Sequence, residues 1–458
     1  MQGAAWTIPV VAVATGAPFA AASGTPTLAF TLPSFSSTAC GVISGVQVRR
    51  TTDGSTPDEG KQITVTLPTG YTFVGGGNTY SSASLADGTI TLPDIVTPAG
   101  NGTHSFTASS DALSTSALVE NTGASSTIYR GGAAIPGLPS GVTARDIQSA
   151  VDPSTGFTFL LVLGSDGVVY RTNSSGNYSN LNVISTAGIT ITDVTISSDS
   201  GTFFTDGTTV YGGGGSGTLP ALPAGVAVQD VQSAVDPATG TVFVLVLGSD
   251  GRVYRSNSSS NYAGWNPVSP AGVTITDMTI SSDSGTFFTD GTTVYGGGGS
   301  GTTAALPTGV TVQDIQSAVD PATGTVFVLV LGSDGRVYRS NSSGNYAGWN
   351  PVSPAGVTIT DMTISSDSGT FFTDGTTVYG GGGSGTTAAL PTGVTATDIQ
   401  STIDSAAGII YVAILGSDGK VYRSNSSVNY AGWNPVSPAG VTAFTISSTE
   451  AFEAVEAC

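Results

Sequence analysis

The string Tyr-Arg-Ser-Asn-Ser-Ser, followed by Asn-Tyr and Gly-Trp-Asn-Pro, stands three times in the chain, at 254–267, 338–351 and 422–435. An arginine, an amide and two aromatic rings at fixed spacing are the groups that hold a sugar. Ring faces stack on its apolar patches, while guanidinium and amide groups bond its hydroxyls. The candidate saccharide set is therefore Arg255, Asn257, Tyr262 and Trp265, then Arg339, Asn341, Tyr346 and Trp349, then Arg423, Asn425, Tyr430 and Trp433. An earlier copy keeps Arg171 and Asn173 but has Leu181 where the others have Trp. The competing reading is mechanical: the rings pack between repeated modules and each Arg pairs with a neighbouring backbone or Asp.

Other chemistry is thinly supplied. Histidine occurs once, at His104, so neither a Ser-His-Asp triad nor a histidine-based zinc site can be assembled. A glycosidase needs unlike groups brought together, whereas these arginines are repeated, and the few glutamates (Glu59, Glu120, Glu450, Glu453, Glu456) lie outside the repeats. Aspartates in S-D-G, S-D-S-G and T-D-G turns suit backbone capping better than calcium, since no D-x-D-x-D-G run is present. The expectation is a protein that is not an enzyme and has no cofactor or metal. With 12 basic against 31 acidic residues the net charge is -19, which repels nucleic acid. No segment is apolar and long enough to insert in a membrane.

The strings belong to a longer period. Asp146, Asp230, Asp314 and Asp398 are 84 residues apart, each in the setting D-[IV]-Q-S. That is twice the roughly 40–45 residues of a propeller blade, so each period should hold two blades. The long half, as at 314–356, breaks at D-P-A-T-G, S-D-G and N-S-S-G-N into four runs rich in Val, Phe, Tyr and Trp. The short half, as at 361–391, reads "DMTISSDSGTFFTDGTTVY" before a glycine run, and also suggests about four strands. Low charge (9 %, against a usual quarter or so) and 64 glycines fit a turn-rich β structure.

Four long and three short halves leave one blade to be shared by the ends. Asp111 to Tyr129 repeats the 18-residue separation of Asp193 to Tyr211, and "VTAFTISS" at 441–448 starts another short half. The reading is an all-β chain whose 105–458 region forms an eight-bladed β-propeller, with seven blades as the alternative, closed by pairing of the C-terminal strand with the first partial blade.

"SSDSGTFF" at 197–204, 281–288 and 365–372 fits the Asp-box pattern S-x-D-x-G-x-x-aromatic. In this the region resembles β-propellers of the bacterial-neuraminidase-repeat type. It departs from them because the motif here bridges the first two strands of a blade rather than the last two. The resemblance implies a turn-stabilising role for these residues and no catalytic one.

Residues 27–104 alternate apolar and polar positions with turns every 8–12 residues, which predicts a small β-sandwich. "VTLPTGYTFVGG" and "GTITLPDI" make it similar to immunoglobulin-like modules of bacterial surface proteins. The apolar stretch 1–26 reads as an arm that adds a strand to a neighbouring subunit, through Trp6, Ile8, Val10 and Val11. It lacks the basic start of a signal peptide, as in a virion component released by lysis, or in a chain numbered after processing. Cys40 and Cys458 could pair with each other. Asn173, Asn257, Asn341 and Asn425 in N-S-S, with Asn101 in N-G-T, are glycosylation acceptors in a suitable host and turn residues otherwise.

These readings converge on a structural and interaction protein at a virion surface or outside the cell, as a phage or virus fibre, tail or decoration protein. Its expected partners are other assembly proteins in multiple copies and a cell-surface glycan. A filament-forming adhesin and a lectin are the alternatives.

Overall fold

The structure, a computed structural model, describes residues 25–39, 41–98, 102–123, 125–213, 217–283, 285–297, 301–381, 385–404, 406–447 and 450–457. Trp6, Ile8, Val10, Val11, Cys40, Asn101 and Cys458 lie outside the described residues, and with them the expected arm and disulfide. The described chain is all-β, with only four three-residue 3₁₀ turns as helix. Among these residues no helix is long and apolar enough to cross a membrane.

The chain divides into two compact units, the first ending at Thr122 and the second starting at Gly123. The boundary expected between 104 and 105 is therefore too early. Strands Gly102–Ser110 and Leu113–Thr122 form a hairpin inside the first unit's five-stranded sheet, whose order is 34–38, 113–122, 102–110, 62–66, 79–83. The alternation explains the placement: Phe106, Ala108, Ala117 and Val119 point into a core with Val48, Ile63, Val65, Ile90 and Ile95 from the other strands. Asp111, expected to begin a blade, is instead the hairpin turn at φ 52° and accepts a 2.6 Å bond from the buried Arg50.

Among its described residues the second unit contains eight sheets. Four have four strands, as in Val312–Val319, Val326–Gly332, Val337–Asn341 and Asn350–Pro351. Three have three strands, as in Asp361–Ile364, Thr370–Thr373 and Val378–Gly380; among the described residues the expected fourth is a single bridge, Tyr379↔Thr386. In each, the Asp-box turn joins the first strand to the second, as at 361–364 and 370–373.

The eighth sheet is assembled from both ends of the unit. Val441–Ser447 pairs with Glu450–Ala457, which pairs with Ser125–Arg130, which pairs with Ala133–Ala134. The first strands of the eight sheets run 144–151, 193–196, 228–235, 277–280, 312–319, 361–364, 396–404 and 441–447; each lies beside the next, and the last lies beside the first. The second unit is thus a propeller-like closed series of sheets.

The second strands show why the sheets pack this way. "VFVLVLG" at 242–248 and 326–332 is buried at every position. Val242, Val244 and Val246 meet the preceding short sheet at Phe203 and Val210, while Phe243, Leu245 and Leu247 meet the following one at Met278, Phe288 and Tyr295. A strand covered on both faces reads as one apolar run, because neither face meets water.

Candidate functional site

The residues of the candidate saccharide set take the mechanical tasks of the competing reading in the structure. Arg255 and Arg339 pair with Asp283 and Asp367, in the Asp-box turns of the following short sheets, and their guanidinium groups lie 5.4 Å over Phe243 and Phe327. Arg423 lies 5.2 Å over Tyr411. Asn257, Asn341 and Asn425 cap the 3₁₀ turns, each side-chain oxygen accepting a bond from a backbone N–H of that turn, as from Gly344 at 2.9 Å.

The rings are committed in the same way. Tyr262, Tyr346 and Tyr430 stand edge-on to Phe203, Phe287 and Phe371 of the preceding short sheets at 5.1–5.4 Å. Asn345 and Tyr346 both take left-handed backbone, φ 50° and 53°. Such geometry costs of order 1–3 kcal/mol in a non-glycine residue and persists where burial of the ring offsets it. The glycine run supplies the space: a Cβ at Gly297, φ 79°, would lie 2.8 Å from the Tyr346 ring. Trp265, Trp349 and Trp433 donate their indole N–H to the carbonyls of Pro220, Ala304 and Ala388 at 2.7, 2.8 and 2.9 Å. Each string therefore ties a long sheet to the short sheet or loop beside it.

The inner edge holds a second set, which sequence reasoning used only as a ruler. Gln148, Gln232, Gln316 and Gln400 each donate from the side-chain amide to a backbone carbonyl of the next sheet, at Val194, Met278, Met362 and Phe444, over 2.9–3.0 Å. In return Asp193 and Asp361 accept 3.0 Å bonds from the backbone N–H groups of Val231 and Ile399. Thr195, Thr279 and Thr363 share hydroxyl bonds of 3.2–3.3 Å with Ser233, Ser317 and Ser401, and Ser149 and Thr445 make the same 3.2 Å contact across the closure. D-[IV]-Q-S is thus a stitch between sheets.

These stitches bring seven aspartates to one depth: Asp146, Asp193, Asp230, Asp277, Asp314, Asp361 and Asp398. Burial, reinforced by Asp314 and Asp398 respectively, pushes Asp277 and Asp361 up to about 6. Burial and the facing Asp230 raise Asp193 as well. Burial is also the leading cause of the upward shifts at Asp146, Asp314 and Asp398. The eighth position is Ala443, and beside it Asp146, Gln148, Asp398, Gln400 and Phe444 line a cavity of 480 Å³. Among the described residues no three His, Cys, Asp or Glu side chains stand together as a metal site. The clue available in the sequence was that "TDVTIS" and "QDVQS" both put Asp at the head of a first strand.

Glu453 was also missed. It is fully buried at the position occupied by Phe204, Phe288 and Phe372 in the other short sheets, opposite Phe444 and Tyr129. Burial raises its carboxyl to about 9 against the opposing pull of Arg423. The Gly132 amide acts on the carboxylate without completing a hydrogen bond, so both oxygens lack a partner.

No protein-family model and no curated protein matches the chain. Solved structures with some likeness include BBS1N in complex with ARL6DN, at 11% identity and TM-score 0.37, covering 68% of this chain and 91% of that one. Dihydro-heme d1 dehydrogenase NirN in complex with DHE follows at 13% and 0.46, covering 68% and 73%. KlAtg21 with the coiled coil of AgAtg16 stands at 12% and 0.42, covering 64% and 98%. At such values the propeller-like reading rests on the chain's own cycle of sheets.

Proposed function

We propose that the chain is a non-enzymatic structural and interaction protein displayed on an outer surface, most simply a phage or virus fibre, tail or decoration component. Its second unit is an eight-bladed propeller of the neuraminidase-repeat kind. Its first unit is an immunoglobulin-like sandwich that mounts it on other assembly proteins. One observation carries this reading: the repeated Arg, Asn, Tyr, Trp, Gln and Asp side chains bind neighbouring sheets together instead of converging on a reacting centre. Rigidity follows, because each sheet is held on both faces and the closing sheet leaves no free inner edge. The low charge density, with acidic groups in excess, suits a module exposed to solvent and proteases.

The test is immunogold electron microscopy on the source culture, with antibody raised against the full chain. Label on released particles supports the reading. Label along cell-borne filaments moves it to the filament-forming adhesin, and label confined to the cell interior overturns surface display.

A further inference from the structure

The four long sheets are near copies, and some of the first sheet's departures from the rest gather on its outer loops. Phe157 stands where the later copies have Thr241, Thr325 and Ile409. Ser179 and Asn180 stand where they have Ala and Gly, and Leu181 replaces Trp. Phe157, Ser179 and Asn180 fall on two cavities that flank Arg171 and Asn173. One, of 480 Å³, opens between the 152–157 turn and the Asp-box turn, and is lined by Phe157, Arg171, Asn173 and Asp199 among others. The other, of 220 Å³, is lined by Arg171, Asn173, Ser179, Asn180 and Asn182. The larger lies within the roughly 300–1,000 Å³ usual for small-molecule sites.

The frame is fixed in advance. Asp152, only 6% exposed, accepts bonds from Ser154 and Thr155 of its own turn and a 3.2 Å bond from the Asp199 backbone N–H, so the two turns are held to each other. Arg171 and Asp199 pair at 2.7 Å with roughly half of the Asp199 side chain still exposed. Asn173 uses its oxygen on Ser175 and Gly176, which leaves the amide nitrogen as a donor. Phe157 is 41% exposed, a ring that no packing requirement of the repeat explains, since Thr serves at the same place in two other copies.

From this we infer that the outer rim of the first long sheet binds a neutral oligosaccharide, with one sugar stacked on Phe157 and the next among the amides and hydroxyls of Asn173, Ser179 and Asn180. An exposed aromatic face beside carboxylate, amide and hydroxyl groups is the chemistry of polyol recognition. Acidic sugars are disfavoured, because the one cation lining these cavities is already paired and Asp152, Asp199 and the net charge of -19 repel anions. The site goes beyond the surface-display reading and does not depend on which particle carries the chain.

The full chain is applied to an array of neutral and sialylated glycans, and the best neutral hit is titrated by calorimetry. Two variants install what the other repeats already hold: Phe157→Thr and Asn180→Gly. The expected result is retention of a neutral glycan, with affinity lowered about tenfold or more by Phe157→Thr and less by Asn180→Gly, at unchanged melting temperature. If Phe157→Thr fails to fold, a loss of affinity in Asn180→Gly carries the test. No neutral glycan retained, only sialylated glycans retained, or affinity unchanged in the folded variants overturns the site. Any of those results leaves the particle-labelling test of surface display untouched.

Discussion

The three short sheets made from continuous chain and the eighth, made from both ends, do the same job with different groups. Each internal short sheet has an Asp at the head of its first strand, a Gly in its turn and a Phe pair in its second strand. The closing sheet has Ala443, no glycine between Ser447 and Glu450, and Phe452-Glu453. Its contact with the first long sheet is kept faithfully: Phe452 meets Tyr178 edge-on at 5.3 Å, as Phe287 meets Tyr346. Polar groups are added around that contact, with Tyr178 bonding Glu450 and Arg130 lying 4.9 Å over the Tyr178 ring. The side facing the last long sheet is where apolar packing gives way to a buried acid. Closure therefore keeps the aromatic contact that the other short sheets make with the long sheet after them, and tolerates change on the opposite face.

The largest effect should come from removing the closing strand. Deleting residues 450–458 takes away the partner of both Ser125–Arg130 and Val441–Ser447 and leaves two open edges. Calorimetry should then show loss of the cooperative transition of the second unit; a chain that melts as before would mean that closure contributes nothing. Phe452→Ala keeps the strand and empties its fully buried anchor beside Tyr178 and Ile128. A loss of about 3–5 kcal/mol is expected in denaturant titration.

Glu453 sharpens the comparison through pH. Its folded-state value, raised to about 9, exceeds the ordinary 4.5, so the folded state holds a proton that the unfolded chain has lost. Its stability contribution is full below about pH 4.5 and declines as pH rises to about 9, with a slope of at most about 1.4 kcal/mol per pH unit. The inner aspartates act in the same direction over a lower window, ending near 6 for Asp277 and Asp361. Above about 6, where Asp277 and Asp361 no longer contribute, Glu453 still adds slope up to about 9. Glu453→Gln should match the native protein near pH 5 and be the more stable of the two at pH 9, whereas Asp277→Asn should flatten only the lower window. Parallel curves for native protein and Glu453→Gln would show that the acid is ionised when folded.

Much of this was legible beforehand because repetition exposes pairing. The 84-residue register, the alternation of long and short sheets and the sharing of one sheet by the two ends follow from aligned turns and apolar runs. Asp111 and Glu453 escaped. Asp111 mimicked a blade start by spacing, but the alternation through Phe106, Ala108, Ala117 and Val119 fixed that stretch to the first unit's core, and only long-range pairing decides between such claims. Trp349 and Arg339 carried two readings, ligand groups or ties between modules, because sequence reports what a side chain offers and not what already occupies it; their contacts with Ala304 and Asp367 fit the second. Glu453 was hidden for a different reason: the glutamates of "EAFEAVEA" recur every third residue, without the alternation that would mark an inward face of a strand, and nothing local says that its middle is covered on both sides.

The outer junctions supply the smaller effects. Trp349→Ala removes a half-buried ring and its 2.8 Å bond to the Ala304 carbonyl, so about 2 kcal/mol should be lost. The first long sheet, with Leu181 at this position, shows that a repeat can close without the indole.

Arg339→Ala should cost the least. Its partner Asp367 is about half exposed, and pairs in contact with water contribute roughly 0–1 kcal/mol. Part of that loss would come from uncovering Phe327 beneath the guanidinium. Arg339→Lys separates the two contributions, since Lys keeps a charge for Asp367 but lacks the flat face that lies over the ring. If Arg339→Lys is as destabilised as Arg339→Ala in denaturant titration, stacking is what the arginine provides and the ion pair is incidental. If it equals the native protein, charge pairing joins the long sheet to the following Asp-box turn, and high salt should weaken that junction.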